Sequence, residues 1–290
     1  MKIMNEMKTP ESITESINNM NIEKMASGMQ AKRYDREEDT WYKQDYLGTE
    51  GLSEYIASRL LSTSAIPHVE YEPCSFMMGN KEVVGCKSDN FLKEGERLVS
   101  TYELIEQELH IDITKEIVHM EVEEKIKYFV DTVVSLTGYD KFGEYLTNLL
   151  QLDAVTKNDD RHFNNISFIQ DQNGNYRPAP IYDNGSAFLS DKYTYGENLS
   201  YDQTIKEMDN VLAKPFSMDF DEQLDACERL YPSTIHLKRN VDIDEKMLEK
   251  YYSKEDIDIA KTVLSQSQRK YTYLFIDEKE KQNMKEYEDM

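Results

Sequence analysis

The chain has 290 residues, 34 of them basic and 56 acidic, for a formal net charge of −22. That length is enough for one large domain or two lobes with a sizeable core. So acidic a surface repels phosphate backbones and anionic membranes, and no strong basic run offsets it, so nucleic-acid binding is not expected.

Residues 1–20, "MKIMNEMKTPESITESINNM", are polar and are read as a flexible end. A small-residue turn, "ASGMQAK", a charged loop, "RYDREED", and "TWYKQDY" then suggest strand, glycine turn, strand. "TEGLSEYIASRLLSTS" reads as a helix with Leu52, Tyr55, Ile56 and Leu60 on one side. "HVEYEPCSFMMGNKEVVGCKS" reads as two strands joined at "GNK". Residues 21–92 therefore form a small β-rich lobe with one helix.

Residues 91–98, "FLKEGERL", read as a connection. Beyond it the pattern turns helical. "EVEEKIKYFVDTVVSLTG" places Ile126, Phe129, Val130, Val133 and Val134 on one stripe and ends at Gly138, a C-cap glycine. "KFGEYLTNLLQLDAVT" is a second helix, and two short strands flank the turn signal Asn173-Gly174. "YDQTIKEMDNVL", "DFDEQLDACERL", "DEKMLEKYY" and "KEDIDIAKTVLSQSQRKYTYLFI" continue as helices, and residues 279–290 are a charged tail. The expectation is an α+β, two-lobed architecture, with a mostly helical lobe over 93–278 and a ligand crevice between the lobes.

Cys74, Cys86 and Cys227 fit neither a zinc ribbon nor C-x-x-C, and free thiols in a reducing compartment are expected. No apolar run approaches the ~20 residues of a membrane span. The start lacks a signal-peptide core. A cytoplasmic location follows, with export by a signal-less route left open.

The chemistry concentrates in "NDDRHFNNISFIQDQNGNYRPAPIYDNGSAF". Phosphoryl transfer needs metal on the phosphates, a positioned base for the hydroxyl and cationic support. Magnesium takes carboxylate and amide oxygens. Asp160 and Asn165 stand at D-x-x-x-x-N spacing, and Asp183 follows in "YDNG". Asp160 is the candidate base, with Asn165 and Asp183 the candidate metal ligands. Asp and Asn also serve ordinary turns; the joint spacing, with Arg161-His162 adjacent, favours chemistry, and favours Asp160 over Asp159 and Asn165 over Asn164. Asp153 is expected to brace this loop by accepting backbone hydrogen bonds. "DQNGN" lacks the acid that a calcium loop needs at its twelfth position, where Tyr182 stands.

This stretch resembles the catalytic segment of HipA-like bacterial serine/threonine kinases, including the compact CtkA-type members. Its "DRHxxN" core also resembles phosphatidylinositol 3/4-kinases, which share the distant kinase-like fold. The match is close over about 150–190, weaker over 25–100 and vague after 200. The resemblance implies a two-lobed protein-kinase-like fold and an ATP- and magnesium- (or manganese-) dependent kinase acting on an unidentified protein substrate. It also implies Asp160 as catalytic acid/base, and a part for His162 in organising the loop or the γ-phosphate. "SGMQAKR" resembles the family's phosphate loop, with Gly28, Gln30 and Lys32 toward ATP and Ser27 as an autophosphorylation candidate. Lys43 is the candidate phosphate-holding lysine, Glu54 its helix partner with Glu50 as the alternative, and Asn90-Phe91-Leu92 a candidate adenine hinge. "KPFS" at 214–217 resembles a segment that follows the active site in compact members. The extra N-terminal subdomain of full-length HipA proteins has no room before residue 27, which favours a stand-alone kinase. A lipid or small-molecule kinase and an ATP-binding pseudokinase module are the rival readings.

Overall fold

The computed structural model describes residues 31–276. Strands β1 (Lys32–Asp35) and β2 (Thr40–Gln44) form a hairpin that sets Lys32 opposite Lys43. Its connection is fixed by the Asp35 carboxylate, which accepts from the backbone of Glu37 and Glu38. Helix α1 (Glu50–Leu61) follows, then β3 (Glu72–Met78) and β4 (Lys81–Asp89), joined through Gly79-Asn80. The four strands are ordered β1-β2-β4-β3, all antiparallel. Lys43 thus lies on a central strand, between β1 and β4.

Residues 91–98 are not all connection. β5 (Arg97–Ser100) pairs with β6 (Ser167–Gln170), which pairs with β7 (Tyr176–Pro178). Four residues with one fully buried side chain, Val99, carry too little alternation to be read as a strand; a partner more than sixty residues away makes them one. The β6–β7 turn holds Asn173-Gly174, with Asp171 accepting from the backbone of Asn173 and Asn175.

The helices of the larger lobe begin with α2 (Thr101–Leu109), capped by the Ser100 hydroxyl on the Glu103 N–H, and α3 (Ile113–Ile117). α4 (Val122–Thr137) buries Ile126, Phe129, Val130 and Val133 and ends at Gly138 with φ +69°. α5 (Phe142–Thr156) delivers the chain to the candidate site. After the site come α6 (Lys192–Tyr195), α7 (Tyr201–Asn210), α8 (Phe220–Leu230), α9 (Glu245–Leu248) and α10 (Lys254–Lys270). The last helical stretch ends earlier than its sequence pattern suggested. Beyond Lys270 a 3₁₀ turn leads into β9 (Phe275–Ile276), which runs parallel to β8 (Leu237–Lys238), so tertiary pairing overrides the helical period.

One contiguous core joins α1 to the helical lobe, while the small lobe adds a cluster of Val69, Tyr71 and Cys86. Phe129 lies 4.7 Å from Phe163, 5.5 Å from Phe216 and 5.6 Å from Phe142 between ring centroids. Each of these rings is buried, contributing roughly 1.5–3 kcal/mol. Phe163 belongs to the candidate catalytic loop, so the loop is anchored in this cluster of buried rings. All three cysteines are free thiols. Among the described residues no helix is long and apolar enough to cross a membrane.

Candidate active site

Helix α5 ends at Lys157, whose left-handed φ of +56° turns the chain sharply. Asp153, in the last turn, is fully buried. Its backbone carbonyl accepts from the Asn158 N–H, and its carboxylate accepts from the Asn158 amide (2.9 Å). The same carboxylate takes both Nε and Nη2 of Arg161 at 2.9 Å. Asp153 therefore does brace the loop, but its carboxylate does so through side-chain donors rather than the backbone donors expected.

Arg161 is the hub that sequence reasoning passed over. Its side chain is fully buried, a burial that charge alone forbids and complete pairing permits. Nη2 also donates to Asn184 Oδ1 (2.7 Å), and Nη1 donates to the carbonyls of Asn165 (3.3 Å) and Tyr182 (3.2 Å). One planar guanidinium thus ties α5, the D-x-x-x-x-N loop and the residue before Asp183 into one unit. Burial alone would lower its pKa, but the Asp153 carboxylate outweighs this and holds it above the usual range.

The two Asp of "NDDR" part company. Asp159 turns inward to accept from the Tyr195 hydroxyl, and burial pushes its carboxyl up. Asp160 is half-exposed, with Oδ1 3.0 Å from Lys214 Nζ and Oδ2 3.7 Å from His162 Nε2. Asn164 and Asn165 diverge as well. Asn164 Oδ1 accepts from Ser100, whereas the Asn165 amide nitrogen donates to the Asp160 carbonyl (3.1 Å), which leaves its Oδ1 as the acceptor atom. His162 has its pKa lowered by burial, which keeps the ring neutral near pH 7. Its Nδ1 is buried with no partner among the described residues.

Asp183 sits at φ +61°. Lys43 Nζ bonds Asp183 Oδ1 at 2.8 Å and Glu54 Oε1 at 2.5 Å, and Lys32 Nζ stands 3.6 Å from Asp183 Oδ2. Burial would raise the Asp183 carboxyl, but Lys43 and then Lys32 beside it hold it below the ordinary carboxylate range. Burial likewise disfavours charge on Lys43, yet Asp183 and Glu54 hold its pKa well above the usual value. Glu54 is fully buried, and its second oxygen accepts from the Asn184 N–H (2.9 Å). Glu50 is not a partner of Lys43. Its carboxylate accepts from the backbone of Tyr46, Leu47 and Gly48 at the start of α1. That loop meets the segment beyond Asp183: Thr49 N donates to the Ser190 carbonyl, and a Cβ on Gly48 would lie 2.0 Å from that same oxygen. Glycine is required there by the close approach of two backbones.

The structure therefore gathers Lys32, Lys43, Glu54 and Asp183 in one cluster. It gathers Asp160, His162 and Asn165 in another, and Arg161 links the two. Gly28, Gln30 and Ser27 lie outside the described residues. Phe91 of the candidate hinge packs on the Tyr182 ring, 6.0 Å between centroids, while Asn90 bonds Asp39.

Among the described residues no group of three or more His, Cys, Asp or Glu stands ready to hold a metal. Asp183 and Asn165 offer one carboxylate and one amide oxygen. Such a set fits a magnesium ion that arrives with phosphate oxygens as its other ligands, not a free-standing protein cage.

The fold is similar to that of the proinflammatory kinase CtkA of Helicobacter pylori, with a TM-score of 0.56 at 17% identity, over 86% of this chain and 92% of that one. A chain of the Shewanella oneidensis MR-1 toxin–antitoxin complex of HipA, HipB and operator DNA aligns with a TM-score of 0.42 at 13% identity, over 92% of this chain and 73% of that one. No family model and no curated protein matches the sequence. The protein has a two-lobed α+β, kinase-like fold, a small β-rich lobe followed by a larger helical one. Within that class its distant structural match is to the CtkA type, at the level of fold.

Proposed function

We propose that this protein is an ATP- and magnesium-dependent kinase that transfers the γ-phosphate to a serine or threonine hydroxyl of a protein, its own chain included. The observation that carries the reading is the buried Lys43, gripped between Glu54 and Asp183 while Arg161 fixes the backbone at Asn165 and at Tyr182, the residue before Asp183. A structural ion pair would need one acid. A lysine with two, one of them also backed by Lys32, resembles a phosphate-binding cation with its metal-ligating acid beside it.

In this reading Lys43 is oriented by Glu54 toward the α- and β-phosphates, with Lys32 adding positive charge. Asp183 and Asn165 would hold magnesium, which when bound would neutralise charge on the phosphate oxygens. Asp160 accepts the proton of the acceptor hydroxyl as its oxygen bonds to the γ-phosphorus. The bond from that phosphorus to the β,γ-bridging oxygen breaks, and its electron pair leaves with ADP. His162 Nδ1, buried and unpaired, is a polar atom whose desolvation is offset once a ligand group or water reaches it.

Self-labelling with radiolabelled ATP and magnesium tests this, comparing wild type with Asp160→Asn and Asp183→Asn and then mapping sites by mass spectrometry. Label on wild type alone is expected, and the map decides whether Ser27 is an acceptor. Equal label on all three proteins overturns the reading. ATP binding without transfer to protein redirects it to a small-molecule kinase or a pseudokinase.

A further inference from the structure

Resting on that reading, the geometry points to Lys214 as the positioning residue of the transfer step: it holds the Asp160 carboxylate toward the acceptor hydroxyl. Lys214 is 54 residues beyond Asp160, in the loop between α7 and α8, where it opens the "KPFS" segment. Its Nζ lies 3.0 Å from Asp160 Oδ1. Among the described residues it is the one lysine or arginine within ion-pair distance of that carboxylate. Lys43 and Lys32 are set on Asp183, and the Arg161 guanidinium is committed to Asp153, Asn184 and two carbonyls.

Exposed ion pairs contribute about 0–1 kcal/mol and are held loosely. This one is half-exposed, yet the backbone that carries it is not loose. Gln223, fully buried on α8, donates from Nε2 to the Lys214 carbonyl (3.1 Å) and accepts at Oε1 from the Phe216 N–H (3.4 Å). The Phe216 carbonyl accepts from Lys125 Nζ (3.1 Å), and the Ala213 N–H donates to the Met218 carbonyl (2.9 Å), closing the loop. The Phe216 ring is buried against Phe163, 5.7 Å between centroids, so the loop that presents the lysine packs on the loop that presents Asp160. A surface pair gains little from so much buried scaffolding. A carboxylate that must be aimed within a few tenths of an ångström gains a great deal, because misplacement of a reacting group costs rate directly.

The loop's own cation, Arg161, is turned inward to Asp153, and His162 Nε2 stands 3.7 Å from Asp160 Oδ2, farther than Lys214 Nζ stands from Oδ1. The nearest fixed positive charge on the Asp160 carboxylate is therefore Lys214. In the step described above, Lys214 forms and breaks no bond. It fixes one carboxylate oxygen so that the other faces the incoming proton.

The test uses the full chain with Lys214→Met, which keeps the aliphatic stem, and Lys214→Arg, which keeps the charge, beside Asp160→Asn. Lys214→Met is expected to lower kcat on the order of 10²-fold, the scale of one preorganised polar contact. Its KM for ATP, and its ATP affinity by calorimetry, stay within about threefold of wild type. Lys214→Arg recovers part of kcat, and the melting temperature of both variants stays within about 3 °C of wild type. If Asp160→Asn is inactive while Lys214→Met keeps wild-type kcat, the assignment of Lys214 falls and the kinase reading stands. If Lys214→Met loses ATP affinity or melts far below wild type, Lys214 is a binding or folding residue and the assignment falls. If Asp160→Asn is as active as wild type, the kinase reading fails and this inference with it.

Discussion

Replacing Glu54 by alanine is the sharpest probe of the buried cluster. Glu54 is fully buried, bonds Lys43 at 2.5 Å with one oxygen and takes the Asn184 N–H at 2.9 Å with the other. Removing one partner of a buried pair costs about 3–5 kcal/mol, because the remaining charge is left uncompensated. Here Lys43 keeps Asp183 at 2.8 Å, which limits that loss, while the Asn184 N–H becomes a buried donor without an acceptor, a further cost of about 1–3 kcal/mol. The sum lies near 4 kcal/mol, and at 2–4 °C per kcal/mol for a chain of this size the melting temperature should fall by about 8–16 °C. The double variant Glu54→Ala/Lys43→Met removes the stranded charge and should recover part of the loss. Differential scanning calorimetry of the three proteins reads this directly. A Glu54→Ala protein that melts within 2 °C of wild type, or a double variant no better than the single, refutes the argument that the pair is electrostatically closed.

Two other substitutions test neighbouring features. Arg161→Lys keeps the charge but not the fork, so Asp153, Asn184 and two carbonyls cannot all be satisfied; a loss of about 3–5 kcal/mol in urea unfolding is expected, and a loss under 1 kcal/mol contradicts the hub. Burial pushes Asp45 up to about 7 against its 2.6 Å bond from the Gly51 N–H. A carboxyl raised in the folded state contributes stability below its unfolded value and loses it as pH rises through about 7, so wild type should weaken between pH 4 and pH 8. Asp45→Asn, which still accepts from Gly51, should melt several degrees above wild type at pH 8 and close to it at pH 4; an equal lead at both pH values removes titration of Asp45 as the cause.

What could be read in the sequence, and what could not, divides by the range of the interaction. The Asn173-Gly174 turn, the Gly138 cap and the α4 stripe are set by residues within one or two turns of each other, so pattern reading reached them. The order of a small β-rich lobe before a helical one followed from those local signals. β5 did not, because Arg97–Ser100 acquires strand character from Ser167–Gln170. The α1 acids were separable only in three dimensions. Glu50 and Glu54 are one helical turn apart, and it is the loop 46–48 doubling back that claims Glu50 for backbone capping and leaves Glu54 facing Lys43.

The same division runs through the candidate site. Spacing drew attention to Asp160, Asn165 and Asp183 and favoured Asp160 over Asp159, but it supplied no physical environment to set the two acids apart. Burial does that. Asp159 is turned in to Tyr195 and Asp160 out to Lys214, and the difference between them lies in partners 36 and 54 residues away. Arg161 was visible as a letter in "DRH" and invisible as a hub, because its carboxylate partner, Asp153, lies back on α5 and its other acceptors are a side-chain amide and main-chain carbonyls. Main-chain acceptors carry no sequence signature. Any residue of the Arg161 or Lys214 kind, which acts by gripping backbone or by being gripped through it, has to be found from coordinates. A search for functional residues in this fold should therefore begin with charged groups whose backbone or side chain is held by a buried scaffold, and only then ask which motif they serve.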